Sequence, residues 1–119
     1  MLNEIINKYE QFSDALISEI SYKSTGNKKN LDVVIKCMNS LKDFEFETIK
    51  LTFIDLISVR FIEREKMSSV LINSALLKKT NNIIMFDFFP TTYDNNLVEN
   101  LNSDFIIKCK EVYYDVLEK

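Results

Sequence analysis

Apolar and polar residues alternate one by one along several segments of this chain, and few folds accommodate such a pattern. Between Leu31 and Cys37 the odd positions are apolar, whereas Asp32 and Lys36 stand among the residues between them. Side chains of a strand point alternately to its two faces, so this period predicts strands with one buried and one solvated face. Similar alternation over residues 15–22 and 49–61 indicates that most of the chain is β-structure.

Turn residues divide these strands and connect them into hairpins. Residues 24–27, which include the only glycine, follow the first strand, and residues 80–82 precede the strongly β-prone residues 83–89. Pro90 has no N–H to donate to a neighbouring strand, so we expect the strand to end there.

Two regions have an interrupted strand pattern. Asp55 breaks the apolar face of residues 49–61, which predicts a bulge or a corner at that point. Residues 104–118 fit either a strand with a bulge near Lys110 or a helix, and their β-branched and aromatic side chains favour the strand.

Three further segments are harder to assign. Residues 70–77 are apolar on both faces, as in a central strand or a buried helix. Residues 91–104 are polar and predict a long loop with a helical turn at 97–101. The charge run at residues 63–66 predicts a solvated connection.

The fold class that follows is mainly β within an α+β arrangement. Six or seven strands with short connections predict an antiparallel meander, curled or barrel-like. Apolar residues at helical spacing predict a short N-terminal helix that packs on the sheet; they are Leu2, Ile5, Ile6, Tyr9 and Phe12. No repeat or linker divides the chain, so residues 1–119 are predicted to form one domain.

Charge and hydropathy argue against several classes of function. The net charge of −3 provides no basic surface for phosphates, so nucleic acid is not expected as a partner. About 18 consecutive apolar residues, which a membrane-spanning helix needs, occur nowhere, so no membrane association is expected. Residues 1–10 lack the apolar core of an export signal, which predicts a cytoplasmic protein.

Composition also excludes most familiar catalytic designs. The chain has no histidine, one glycine and two cysteines, so it lacks the usual general base, a phosphate-binding loop and an ordinary zinc site. We therefore expect no cofactor, no metal and no enzymatic activity, with chemistry based on carboxylates alone as the remaining catalytic possibility. Cys37 and Cys109 are predicted to be small core residues rather than a redox pair.

The strongest candidates for binding a partner are acidic and aromatic residues. Asp43, Glu45 and Glu47 alternate with Phe44 and Phe46 and share one face if the segment is a strand, which predicts an acidic docking strip or simply a solvated strand edge.

A second candidate binding position lies in the polar segment near residue 93. Tyr93 and Asp94 are expected to be exposed there, and aromatic side chains commonly anchor interfaces. Asp87 interrupts an apolar run and is expected to face solvent, with a carboxylic acid in an apolar pocket as the alternative.

Residues 12–20 and 48–56 resemble small bacterial β-proteins that include immunity proteins of polymorphic toxin systems. Those proteins open their first strand with a His-Asp-Ser-like motif; here Ser13 replaces the histidine and Asp14 matches the aspartate. The resemblance implies a protein without catalytic activity that binds and neutralises a cognate toxin. No functional residue is carried over from it.

The leading hypothesis is therefore a protein-binding module, an immunity protein or antitoxin with a toxin as its partner. The alternatives are a β-barrel that holds a small molecule inside an apolar cavity and a structural subunit of a larger assembly. The sequence leaves the oligomeric state open.

Overall fold

The computed structural model describes residues 1–62, 70–72 and 74–118. Its elements in chain order are α1 (Leu2–Tyr9), β1 (Ala15–Thr25), β2 (Lys28–Asn39), a short 3-10 helix (Ser40–Lys42), β3 (Glu45–Phe61), β4 (Val70–Ile72), β5 (Leu76–Thr80), β6 (Ile83–Asp87), β7 (Thr91–Tyr93), β8 (Asn96–Val98) and β9 (Phe105–Glu118). The predicted connection at residues 63–66 lies outside the described residues.

Six strands form the body of one antiparallel sheet in the spatial order β1-β2-β3-β9-β6-β5, and the short β4 is added beside β1. The sheet is not closed, and β7 with β8 forms a separate hairpin. The predicted fold class, mainly β with a short N-terminal helix, is confirmed, and so is the choice of strand for residues 104–118. The sequential order is interrupted where β9 lies between β3 and β6, and again at the edge where β4 lies beside β1.

The long pair β3–β9 bends at Asp55, as the sequence predicts. Asp55 has the left-handed φ of 57°, and the register between the strands shifts just beyond it. On β3, Phe53 and Leu56 both pack in the core although they are three residues apart, and Val112 and Cys109 opposite them do the same. In both strands, therefore, the alternation of buried and exposed side chains is interrupted between the same two pairs of residues. This interruption accounts for the irregularity that the sequence predicts near Lys110.

The prediction for residues 70–77 is wrong. They contain β4 and β5, which lie at opposite edges of the sheet, with the chain crossing between them. Ile72 and Ala75 are both buried, and the Ala75 N–H donates to the Gln11 carbonyl at 2.6 Å. Leu76 and Leu77 are half-buried beside these two, so apolar residues follow one another here as they would in a central strand.

The helical turn predicted at residues 97–101 is also wrong, because Leu97 lies in β8 and pairs with Thr92 of β7. Asp94 and Asn95 have φ values of 50° and 64°, and positive values at both central positions are what a type I′ hairpin turn requires. Asp and Asn adopt this conformation more readily than most residues. Their preference for a hairpin turn therefore determines the structure here, and the spacing of apolar residues at 97–101 does not produce a helical turn.

Aromatic rings fill the space between the concave face of the sheet and α1. Phe86 lies 4.2 Å from Phe88 and 5.2 Å from Phe12 between ring centroids, and Phe88 stacks on Phe105 at 4.2 Å. Ring pairs at these distances stabilise a core beyond the area they bury. The apolar cavity that a ligand-holding barrel would enclose around residues 83–89 is thus occupied by the protein's own side chains.

Candidate functional site

The predicted partner-binding residues lie near the two ends of the β3–β9 pair. Asp43 and Glu45 stand at the β2–β3 connection, close to the position where Thr48 pairs with Glu118. Tyr93 and Asp94 form the tip of the β7–β8 hairpin, which follows the pairing of Asp87 with Ile106 near the start of β9. Twelve residues of β9, about 40 Å of strand, separate those two pairings. The structure therefore provides two separate surfaces.

The first surface is the loop of residues 40–46, hereafter the 40–46 loop. The Asn39 side chain begins it by accepting a hydrogen bond from the Leu41 N–H at 2.9 Å, and the Phe44 N–H donates back to the Asn39 carbonyl at 2.9 Å. Asp43 and Phe44 have φ values of 53° and 59°. For a phenylalanine this left-handed conformation costs about 1–2 kcal/mol, so the surrounding contacts must hold the loop in place.

The 40–46 loop exposes large apolar side chains. Leu41, Phe44 and Phe46 are 68%, 54% and 47% exposed, and the carboxylates of Asp43 and Glu45 stand exposed among them. Aromatic and aliphatic side chains surrounded by polar groups are characteristic of the centre of a protein-binding surface.

Glu47 does not belong to this exposed surface, which corrects the predicted three-residue strip. Its side chain is only 5% exposed, and its Oε1 accepts hydrogen bonds from the Tyr9 hydroxyl at 2.5 Å and the Asn39 amide at 3.1 Å. Glu45 and Glu47 both lie in β3, as the alternating pattern predicts, but the strand enters the core between them, so that Glu45 is exposed and Glu47 is buried. A buried carboxylate requires hydrogen-bond donors, and here they come from α1 and β2.

Glu47 consequently connects the helix to the loop. Tyr9 lies on α1, and Asn39 is the residue whose side chain caps the 40–46 loop. Burial, followed by the hydrogen bond to Glu47, raises the pKa of the Tyr9 hydroxyl far above 10.0, so the hydroxyl keeps its proton and donates it. The Ser40 hydroxyl adds a bond to the Asn7 carbonyl of α1 at 2.8 Å. This arrangement fixes the loop on the body of the protein.

A small cavity of about 80 Å³ opens beside Phe44, between α1 and the end of β2. Tyr9, Met38 and Ser40 contribute to its walls, and Glu10 is an exposed carboxylate beside it. Its size suits part of one side chain from a partner and not a complete small molecule, for which cavities of ~300 Å³ and above are usual.

The second surface is the β7–β8 hairpin, where Tyr93 is 71% exposed. Its base is organised by Asp87, which is fully buried rather than solvent-facing. One Asp87 oxygen accepts from the Phe89 N–H at 3.0 Å and the other from the Asn100 N–H at 2.8 Å. These two backbone donors satisfy both oxygens of the buried side chain and join the end of β6 to residue 100, so Asp87 acts as a structural clamp.

Both cysteines are buried free thiols, as predicted. Cys37 pairs with Glu47 and Cys109 with Leu56, so about nine residues of β3, roughly 30 Å, separate them along the strand. Burial raises the pKa of Cys37 to about 12 and of Cys109 to about 11. Such thiols are protonated at neutral pH and make poor nucleophiles.

Within residues 1–62, 70–72 and 74–118, no group of three or more histidine, cysteine, aspartate or glutamate side chains is placed to hold a metal ion. The same residues include no helix with the length and hydropathy needed to cross a membrane.

Comparisons with known proteins add no further assignment. No protein-family model matches the sequence, and no curated protein and no solved structure matches it. The geometry of the two surfaces is therefore the basis on which a function can be argued.

Proposed function

We propose that this chain is a protein-binding module without catalytic activity, an immunity protein or antitoxin that binds and neutralises a bacterial toxin through the 40–46 loop. The observation that carries the proposal is the exposure of Leu41, Phe44 and Phe46 on a segment that hydrogen bonds join to α1 and to the end of β2. Exposed single apolar residues are common on proteins, but three within seven residues make this loop a candidate for a binding centre.

The hydrogen bonds that hold the 40–46 loop support the proposal, because binding then requires little ordering of the loop. The Tyr9–Glu47–Asn39 contacts and the Ser40–Asn7 bond already fix its conformation before a partner arrives. A preorganised surface loses less conformational entropy on association than a mobile one, which favours tight binding. An immunity protein that must act before its toxin does damage needs such affinity.

Charge favours a basic partner. Asp43 and Glu45 lie on the loop and Glu10 lies beside the cavity at its base, and these three carboxylates outnumber the two nearby ammonium groups, of Lys42 on the loop itself and of Lys36 on β2. Lys36 is positioned over the Phe46 ring at 5.8 Å. Carboxylates around an apolar centre steer a positively charged protein toward it and disfavour acidic competitors.

The proposal is tested by co-expressing the tagged chain with each protein encoded by the adjacent genes. A toxic neighbour-encoded protein should co-purify with sub-micromolar affinity and lose its toxicity. Replacing Leu41, Phe44 and Phe46 together by serine should abolish both effects, whereas Tyr93→Ser on the other surface should not. The proposal fails if none of these proteins binds, and its assignment to the 40–46 loop fails if Tyr93→Ser is the change that abolishes binding.

A further inference from the structure

A surface cleft of about 400 Å³ lies at the N-terminal end of α1, beside β9. It exists because β6 stops pairing with β9 at Ile84, opposite Cys109, while β9 continues as far as Glu118. The first residues of α1 fill only part of the gap that β6 leaves. The volume lies in the range usual for small-molecule sites.

The walls of the cleft combine an apolar floor with a basic rim. Leu2, Ile84 and Val112 contribute apolar side chains, of which Ile84 and Val112 are almost fully buried. Lys79, from β5, and Lys110, from the bend in β9, are both exposed at the same opening.

These two lysines have no acidic partner in the part of the chain that the structure describes. One carboxylate, that of Glu111, also lines the cleft, and it accepts a hydrogen bond from the Tyr113 hydroxyl at 3.0 Å. Two ammonium groups above a buried apolar floor are complementary to a molecule that has one anionic end and one apolar end.

We propose that this cleft binds a small amphipathic anion, an apolar chain that carries a single carboxylate. The carboxylate lies between Lys79 and Lys110, and the chain covers Ile84 and Val112. This proposal is independent of the toxin-binding function, because the cleft shares no residue with the 40–46 loop or with the cavity beside it. It also differs from a barrel that holds its ligand inside, since aromatic side chains occupy the interior.

The test uses decanoate as the probe, below its micellar concentration, with the ¹⁵N-labelled full chain. Decanoate should shift the amide signals of Lys79, Ile84, Lys110 and Val112 in a saturable manner. Octanoate should bind more weakly by up to about fourfold for each methylene removed, because each buried methylene contributes a similar increment to the affinity. Decanol, which has the same chain without the charge, should bind at least tenfold more weakly than decanoate.

Two double variants complete the experiment. Lys79→Gln with Lys110→Gln should weaken decanoate binding at least tenfold, whereas Lys28→Gln with Lys29→Gln, at an exposed hairpin, should leave it unchanged. A preserved amide spectrum in each variant shows that the fold is intact. The proposal is overturned if decanoate gives no saturable shift at the cleft, if decanol binds equally well, or if the two double variants bind decanoate equally.

Discussion

Two buried carboxylates, Glu47 and Asp87, position the surface residues that the sequence singles out. Glu47 connects α1 to the 40–46 loop, and Asp87 fixes the base of the β7–β8 hairpin. The sequence predicts the exposed residues near them because local polarity and turn chemistry are visible in it. It does not reveal the burial of these carboxylates, because Tyr9, Asn39 and Asn100, which supply most of their donors, come close to them only once the sheet has formed.

Replacing Glu47 by alanine should therefore destabilise the protein. The Tyr9 hydroxyl and the Asn39 amide would lose their acceptor inside the core, which costs about 2–3 kcal/mol of unfolding free energy. Glu47→Gln retains an acceptor oxygen and should cost less. Urea unfolding of both variants and of the exposed control Glu45→Ala measures the difference. Equal stability of Glu47→Ala and Glu45→Ala would show that the buried hydrogen bonds contribute nothing.

Alkaline pH should weaken the fold through Cys37 and Cys109. Their pKa values of about 12 and about 11 lie above the ordinary 9.0, so the folded state retains protons that the unfolded state releases. This contribution to stability is complete below pH 9 and is lost as the pH rises from 9 toward these values, by up to ~1.4 kcal/mol per pH unit for each thiol.

Cys37→Ala tests this pH dependence. The substitution lowers stability at pH 8 through the lost packing, but it should make the decline of unfolding free energy between pH 9 and pH 11 shallower. Urea titrations at several pH values follow both proteins. If the unfolding free energy falls equally steeply with pH in the variant and in the unchanged protein, the Cys37 thiol does not cause the loss of stability at alkaline pH.

Asp43 and Glu45 are expected to act on the rate of association rather than on folding. Both are exposed, so replacing Glu45 by serine and Asp43 by asparagine, which tolerates the left-handed φ of 53°, should change stability by less than about 0.5 kcal/mol. The same change should slow association with a basic partner at low salt, and the difference should shrink as salt screens the charges. Stopped-flow measurements at two salt concentrations test this, and an equal rate at low salt would make the two carboxylates ordinary solvated surface.

At the scale of elements, β-structure was predictable wherever one strand face is buried and the other solvated. The β1–β2 hairpin, the bend at Asp55 and the strand character of β9 all follow from alternation and its interruptions. The pattern fails for β4 and β5, which are three and five residues long and lie at opposite edges of the sheet. It also fails for β7 and β8, whose three-residue strands are too short to show a period.

The bend gives a prediction for β3. Asp55 has a φ of 57°, which glycine adopts without cost and β-branched residues adopt least readily. Asp55→Gly should leave the unfolding free energy unchanged or raise it by up to about 1 kcal/mol, whereas Asp55→Val should lower it by about 1–2 kcal/mol. Chemical unfolding distinguishes the two. A stable Asp55→Val variant would contradict a bend that depends on this left-handed residue.

At the scale of the whole molecule, the open sheet places the 40–46 loop, the β7–β8 hairpin and the cleft beside β9 around a core that contains stacked aromatic rings. The class of fold could be predicted because it depends on periodicity, which is local. The strand order could not, since the position of β9 between β3 and β6 depends on long-range pairing that leaves no signal in one sequence. This strand order also places the 40–46 loop and the β7–β8 hairpin near opposite ends of the β3–β9 pair, which separates the two surfaces.

The central claim, that the 40–46 loop binds a protein partner, is tested most directly by one comparison of dissociation constants. Phe44→Ala and Tyr22→Ala each remove an exposed aromatic side chain, 54% and 56% exposed, from different parts of the molecule. With the partner identified by co-purification, isothermal titration calorimetry should show that Phe44→Ala weakens binding about 30-fold or more, as expected for a central anchor. Tyr22→Ala should bind like the unchanged protein. Unchanged affinity for Phe44→Ala in a folded variant would contradict the account.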